Sequence, residues 1–210
     1  MNALKNMRNK PSQDRSTDTV EVILEATTQV LDSPRDAPVT TNHIAQHAGV
    51  SIGSLYRYFK NKQGILALIV QREAARQESC INAMIINWSG DDGDTLIQQI
   101  ALSAVNSFHG RRWVRRSLYK HLSEKDRFAR QLHAMRYRIL LRVEERLLAQ
   151  HPHLYRALND DERHAMLGAW AGTINAVMMY SPDDFEAGAV AQQLTDLVNG
   201  YLLKCDRDQD

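Results

Sequence analysis

The sequence predicts an all-α protein of about nine helices. Apolar residues recur at i, i+3, i+4 and i+7 in almost every segment, the signature of amphipathic helices. No segment offers a strand-like alternation flanked by hairpin signals. The interruptions fall at Pro, Gly and Asp-rich clusters, where helices stop. The chain has 210 residues, with 43% hydrophobic and 24% charged. That length allows one large domain or two small ones with a real core, and the composition excludes global disorder and low-complexity fibres.

Val20, Ile23, Leu24, Thr27, Val30 and Leu31 line one face of a first helix, which must end at the Asp32–Pro38 stretch with its two prolines. Thr40 is placed to cap a short helix whose Ile44 and Ala45 face inward. Ala48-Gly49-Val50 supplies a turn with Gly in a left-handed conformation, and Ser51 caps the next short helix. Asn61 can cap a long helix running toward Trp88. Ser89–Asp94 is a turn, followed by an apolar stripe from Leu96 to Phe108 closed by Gly110. Ser123 and Asp126 start a helix with Met135, Ile139, Val143 and Leu147 on one side, ending near His151-Pro-His153. A helix over Asp160–Tyr180 follows, and Ser181-Pro182-Asp183-Asp184 starts the last one.

Charge is unevenly distributed. Net charge is +1 overall. Lys5, Arg8, Lys10 and Arg15 face only Asp14 in the first fifteen residues, and residues 111–146 hold twelve Lys/Arg against four Asp/Glu. Residues 155–210 reverse this, with four against ten. A uniformly basic nucleic-acid binder is excluded, but one basic end is not. The two cysteines, Cys80 and Cys205, make no disulfide framework. No apolar run approaches the roughly 18 residues of a membrane span, and no signal-type h-region follows Met1, so the expected location is the cytoplasm.

Residues 40–59 carry the functional reading. Two short capped helices joined by a Gly turn are the helix-turn-helix layout, whose second helix enters the DNA major groove. On that helix Leu55, Phe59 and the bordering Tyr58 point to the core. Gly53, Arg57 and Lys60 lie opposite, flanked by Ser54 and Tyr56. Gly53 lets the backbone approach the groove, Arg57 has the donor fork for a guanine edge, and Tyr56, Lys60 and Lys62 suit phosphates. Lys62 also stands at the start of the next helix, where anions are favoured.

The pattern Ile44-Ala45, Ala48-Gly49-Val50-Ser51, Gly53, Leu55-Tyr56-x-Tyr58-Phe59-x-x-Lys62 resembles the signature of TetR-family transcriptional regulators. The resemblance spans residues 16–75. It implies a cytoplasmic homodimer with an N-terminal DNA-binding domain and a larger helical ligand domain, released from its operator by a small molecule. Carried over by position, Thr40, Thr41, Asn42, Ser54, Tyr56, Arg57, Tyr58 and Lys62 are the implied DNA contacts, to which the residue reading adds Ser51, Gly53 and Lys60. The expected organisation is a basic tail over 1–14, a DNA-binding domain over 15–62, a ligand and dimerisation domain over 63–204 and a tail over 205–210.

For that larger domain, Ala165, Ala169, Gly172 and Ala176 form a small-residue seam, and Val190, Leu194, Leu197 and Tyr201 repeat the spacing. Both are expected at a dimer interface, with intramolecular packing as the other reading. Trp88, Phe108, Met135, Tyr137, Trp170 and Met178 are candidate liners of an apolar pocket within residues 75–180. The arginines of 111–146 either meet an anionic ligand or, the simpler reading, form a solvated face balanced by Glu144 and Glu145. His43 and His47 share a helix face, but no third ligand joins them, so no metal or other cofactor is expected. Nucleotide-binding and catalytic motifs are missing, so no enzyme activity is expected. Two other readings stay open: an architectural DNA-binding protein without an inducer, and a small-molecule-binding protein with a vestigial helix-turn-helix.

Overall fold

A computed structural model describes residues 14–32, 39–107, 114, 118, 126–180 and 185–204. Among these residues there are eight helices: α1 (Asp14–Leu31), α2 (Thr41–His47), α3 (Ile52–Tyr58), α4 (Lys62–Asn87), α5 (Gly93–Asn106), α6 (Asp126–Gln150), α7 (Asp160–Tyr180) and α8 (Ala187–Leu202). The fold is all-α, as expected. One departure is an isolated antiparallel bridge between Tyr155 and Leu203. It is made by Arg156 N donating to Leu202 O at 2.8 Å and Lys204 N to Leu154 O at 2.9 Å. The expected features at Pro34, Pro38, Phe108, Gly110, Ser123 and Ser181–Asp184, with residues 1–13 and 205–210 of the tails, lie outside the described residues, while Asp14 belongs to α1.

The chain forms two compact units. The first runs to Ala75 and includes Val114 and Leu118; the second takes in Arg76–Gly110 and the residues from Arg130 onward. The division therefore falls inside α4, whereas the sequence predicts a boundary after Lys62. Sequence patterns mark helix ends, and a helix shared between two cores carries no end at the border.

In the first unit, Val20, Ile23, Leu24, Val30 and Leu31 from α1 pack with Ile44, Ala45, Leu55, Phe59, Ile65 and Leu66. Ile23, Ile44, Leu55, Phe59, Ile65 and Leu66 are all 0% exposed. Two seven-residue helices would not hold alone in water, so this shared core is what fixes α2 and α3. Thr27, also buried, returns its hydroxyl to Ile23 O at 2.7 Å, which satisfies it without a partner helix.

In the second unit, α5 packs along α8, with Ala101, Ala104, Val105, Ile174, Ala191 and Leu194 forming one core cluster. Trp170 and Val190 rest against it. Asp92 caps α5 by accepting from Asp94 N at 3.0 Å and from Thr95 Oγ1 at 2.6 Å, which holds its carboxyl below the usual range. A second polar anchor joins α6 to α7. Glu144, 4% exposed, accepts from Arg163 Nη2 at 2.8 Å and Nε at 3.0 Å, and from Leu158 N at 3.0 Å. A buried carboxylate is tolerable only when saturated in this way.

Candidate nucleic-acid interface

The helix-turn-helix is built from local chemistry. Thr40 Oγ1 accepts from His43 N at 3.2 Å and starts α2. At its end Gly49 takes φ +63°, Gly49 N donates to Gln46 O at 3.2 Å, and Val50 N donates to Ala45 O at 3.0 Å. That pair of bonds is a Schellman motif, which closes the helix and turns the chain. Val50 packs on the core and pins the turn. Ser51 Oγ then accepts from Ser54 N at 3.0 Å and starts α3. Asn61 Oδ1 accepts from Gly64 N at 3.0 Å at the head of α4. All four expected features, Thr40, Gly49, Ser51 and Asn61, stand in the expected roles.

The two faces of α3 separate as periodicity requires. Leu55 is 0% exposed and Tyr58 7%, while Ser51, Ile52, Gly53, Tyr56, Arg57 and Lys60 are exposed. Ser54 and Lys62 are partly buried. On α2 and its cap, Thr40 and Asn42 are exposed and Thr41 partly so. The Thr41 and Tyr56 hydroxyls are 3.0 Å apart, which ties the start of α2 to the outer face of α3. Ser51 and Ser54 hydroxyls pair at 2.9 Å. These pairs hold polar atoms in fixed positions on one surface, as recognition demands.

Tyr58, a DNA contact by the family resemblance, has its ring buried in the core, with the Arg57 guanidinium 5.9 Å from the ring centre. Packing uses the ring, as its place beside Leu55 and Phe59 already implies. Sequence reading misses Ile52, exposed at 38% in the first turn of α3. An apolar residue left in solvent next to an N-cap is the available signal.

Electrostatics favour a polyanion. Residues 39–72 contain Arg57, Lys60, Lys62 and Arg72 and not one Asp or Glu. Arg72 is engaged by Glu21 of α1, away from this stretch in sequence. His43 and His47 place their rings 5.3 Å apart, edge to face. Among the described residues no group of three potential ligands gathers around them or elsewhere.

The residues expected at the dimer interface divide. Ala165, Ala169, Gly172 and Ala176 are all exposed on α7, and a Cβ added at Gly172 would meet nothing within 4 Å. Leu194 does not belong with them. It is 0% exposed within its own chain, filling the α5–α8 cluster, so it is core and cannot face a partner subunit. Val190 leans on the same cluster, and Leu197 and Tyr201 are partly buried. Within the α8 heptad pattern, Leu194 packs on α5.

The expected pocket liners are likewise dispersed in role. Trp88 donates its indole N–H to Asp92 O at 3.0 Å and receives the Arg146 guanidinium at 5.9 Å, so it helps order the α4–α5 turn. Tyr137 donates its hydroxyl to Asp160 Oδ1 at 2.6 Å on the surface. Met135 is buried and Trp170 partly buried. Phe108 and the Met178 side chain lie outside the described residues.

Residues 23–69 match the family model for bacterial regulatory proteins of the tetR family. The fold is also found in solved structures. A TetR transcription regulator from Haloarcula marismortui superposes with a TM-score of 0.70 at 16% identity, covering 89% of this chain and 99% of that one. The fatty acid degradation regulator FadR from Bacillus halodurans gives 0.64 at 17% identity, covering 86% and 97%. SmeT, repressor of the Stenotrophomonas maltophilia multidrug efflux pump SmeDEF, gives 0.62 at 19% identity, covering 92% and 94%. No match emerges among curated protein sequences. At these identities the structural likeness concerns the fold. Among the described residues no helix is long and apolar enough to cross a membrane.

Proposed function

We propose that this chain, whose residues 23–69 match the model for bacterial regulatory proteins of the tetR family, is a dimeric repressor whose hold on its operator is released by a small molecule. The observation that carries the DNA half is the outer face of α2 and α3, capped, cross-linked by hydroxyls, acid-free, and presenting Arg57 opposite the buried Leu55. In this reading Arg57 meets a base edge, and Ile52 can meet a thymine methyl beside it. Tyr56, Thr41, Lys60 and Lys62 hold phosphates, and Thr40, Asn42, Ser51, Gly53 and Ser54 complete the surface. Dimerisation uses the exposed Ala165–Ala176 seam of α7, which permits close helix approach, and sets two half-sites about 34–36 Å apart.

Titration on cognate and scrambled duplexes at several salt concentrations tests the assignment. Arg57→Ala should cost about 1–3 kcal/mol on the cognate site and relax selection at one base position. Lys62→Ala should weaken both duplexes alike and reduce the salt slope by about one. Equal loss on both duplexes for Arg57→Ala would place that residue on phosphate instead. For the seam, Gly172→Leu fills open space in the single chain, so it should leave the fold intact while weakening dimerisation and operator affinity together. An intact dimer in sedimentation would move the interface elsewhere.

A further inference from the structure

Helices α6 and α7 bring three rings together near the start of α7. His133 and His164 stack with centroids 5.1 Å apart and planes at 27°. Tyr137 completes the cluster, 6.4 Å from His133 and 5.4 Å from His164. Two of the three have polar partners. Tyr137 donates its hydroxyl to Asp160 Oδ1 at 2.6 Å. His164 Nδ1 donates to Asp160 O at 2.6 Å. A carbonyl only accepts, so that nitrogen carries the hydrogen and a further proton has to enter at His164 Nε2. His133 differs. Its Nε2 is shut off from solvent and has no hydrogen-bond partner among the described residues. A bare ring nitrogen in such a place costs far less than a charged N–H without an acceptor.

The charged groups around the stack do not relieve that nitrogen. On α6, Arg130 and Arg136 stand one turn to either side of His133. On α7 the neighbours are Asp160, Asp161 and Arg163. Asp160 already accepts from Tyr137 and from Arg163 Nη1 at 2.9 Å, and Arg163 gives its other nitrogens to Glu144. Asp161 is exposed. On α4, Glu78 is taken by Arg138 and Arg142, the paired arginine face that the simpler sequence reading anticipates. None of these carboxylates bonds His133 Nε2.

We propose that the His133–His164 stack is an acid-sensitive joint: neutral imidazoles hold α6 to α7, and their protonation parts the two helices where the Ala165 seam begins. Imidazole is the side chain that changes charge between about pH 5 and 8. The first proton settles on His164, beside the Asp160 carboxylate. The second has to enter at His133 Nε2, with no acceptor, against a ring already charged 5.1 Å away. Parting the helices offers that proton water instead, so acid favours the parted state. The joint itself stands on the geometry of α6 and α7. Its link to the seam rests on the dimeric reading above.

Amide-exchange protection of the full chain at about pH 7.5 and about pH 5.5 tests it, with intrinsic rates divided out. Opening of residues 130–140 and 158–168 should rise by up to about 10-fold per pH unit below about pH 6.5, the effect of one extra proton on the open form. Protection in α5 and α8 should hold. His133→Phe keeps a ring on His164 but has no nitrogen to charge, so it should abolish the change. His164→Phe should lessen it only, because His133 still lacks an acceptor. Sedimentation of the wild type should show the dimer weakening over the same range, and His133→Phe should not. Equal protection at both pH values in the wild type overturns the joint, even if His133→Phe fails to fold. So does a His133→Phe chain that keeps the wild-type loss, which would place the titration at another histidine, such as His151 on Gly90 O. A dimer equally tight at both values overturns the link to the seam. A chain that is monomeric throughout removes the dimeric reading, while exchange still decides the joint.

Discussion

Helices α2 and α3 are seven residues each, and α7 is twenty-one, yet the short pair is by far the easier to read. Each polar residue around the short helices has a backbone task that its neighbours in sequence define. Thr40 and Ser51 accept from the third residue on, and Gly49 takes the one conformation that lets Val50 bond back to Ala45. Such bonds depend on residues within five positions, so a sequence pattern captures them. Helix α7 is apolar or small on most sides, and which side meets which neighbour depends on helices far away in the chain. Its ends are legible, at Asp160 and Tyr180, and its exposed Ala/Gly seam is too. Its polar tie to α6 through Glu144 is not.

That contrast can be broken first at Glu144. Glu144→Ala removes a saturated, buried carboxylate and leaves the Arg163 guanidinium short of its main acceptor and Leu158 N without one. Breaking one partner of such a pair costs about 3–5 kcal/mol, at the high end of what a single substitution produces. Chemical denaturation should show it, and regional hydrogen exchange should place the loss in α6 and α7. A variant as stable as the wild type would mean that long-range polar ties matter less in this unit than packing does.

Leu55→Ala asks the same of the short helices. The side chain is fully buried among Ile44, Phe59 and the α1 residues, so about 2–5 kcal/mol should be lost to transfer and cavity. Operator binding should fall through unfolding of the first unit, with exchange protection in α8 unchanged. Preserved DNA binding would show that the caps alone position α3. Gly49→Ala sharpens the point at smaller cost. Open space surrounds the position, since an added Cβ meets nothing within 4 Å. Only the positive φ of +63° resists the change, for about 1–2 kcal/mol.

Legibility fails where one pattern serves two ends. The α8 heptads read as a subunit interface, but Leu194 packs its side chain with Ala101 and Val105 of its own chain. A heptad records that something apolar packs there, and only the fold says whether that partner is a neighbouring helix or another subunit. Aromatic residues carry a similar ambiguity. Trp88 is large and apolar enough for a pocket, and its one N–H also meets the Asp92 carbonyl at the turn before α5.

Acid titration gives the smallest expected effect and the cleanest separation of the two regions. Three carboxyls of the second unit are held below their ordinary values of 3.8 for Asp and 4.5 for Glu. Asp92 is lowered chiefly by Thr95, Asp160 by the Tyr137 hydroxyl and Arg163, and Glu162 by Arg156 and the Asn159 N–H. A depressed folded value means the unfolded chain takes up protons first as pH falls. Their contribution is therefore complete above about pH 5 and lost progressively below about pH 4. Asp92 and Asp160 are exposed and Glu162 partly so, so added salt should weaken the effect. Residues 39–72 hold no carboxyl at all, and α2 and α3 have nothing of their own to protonate in that window. Hydrogen exchange compared at about pH 5 and about pH 3 should thus show α7 and the start of α5 losing protection before α2 and α3. The reverse order would mean that the caps of the short helices, for all their regularity, hold less tightly than the exposed carboxyl network.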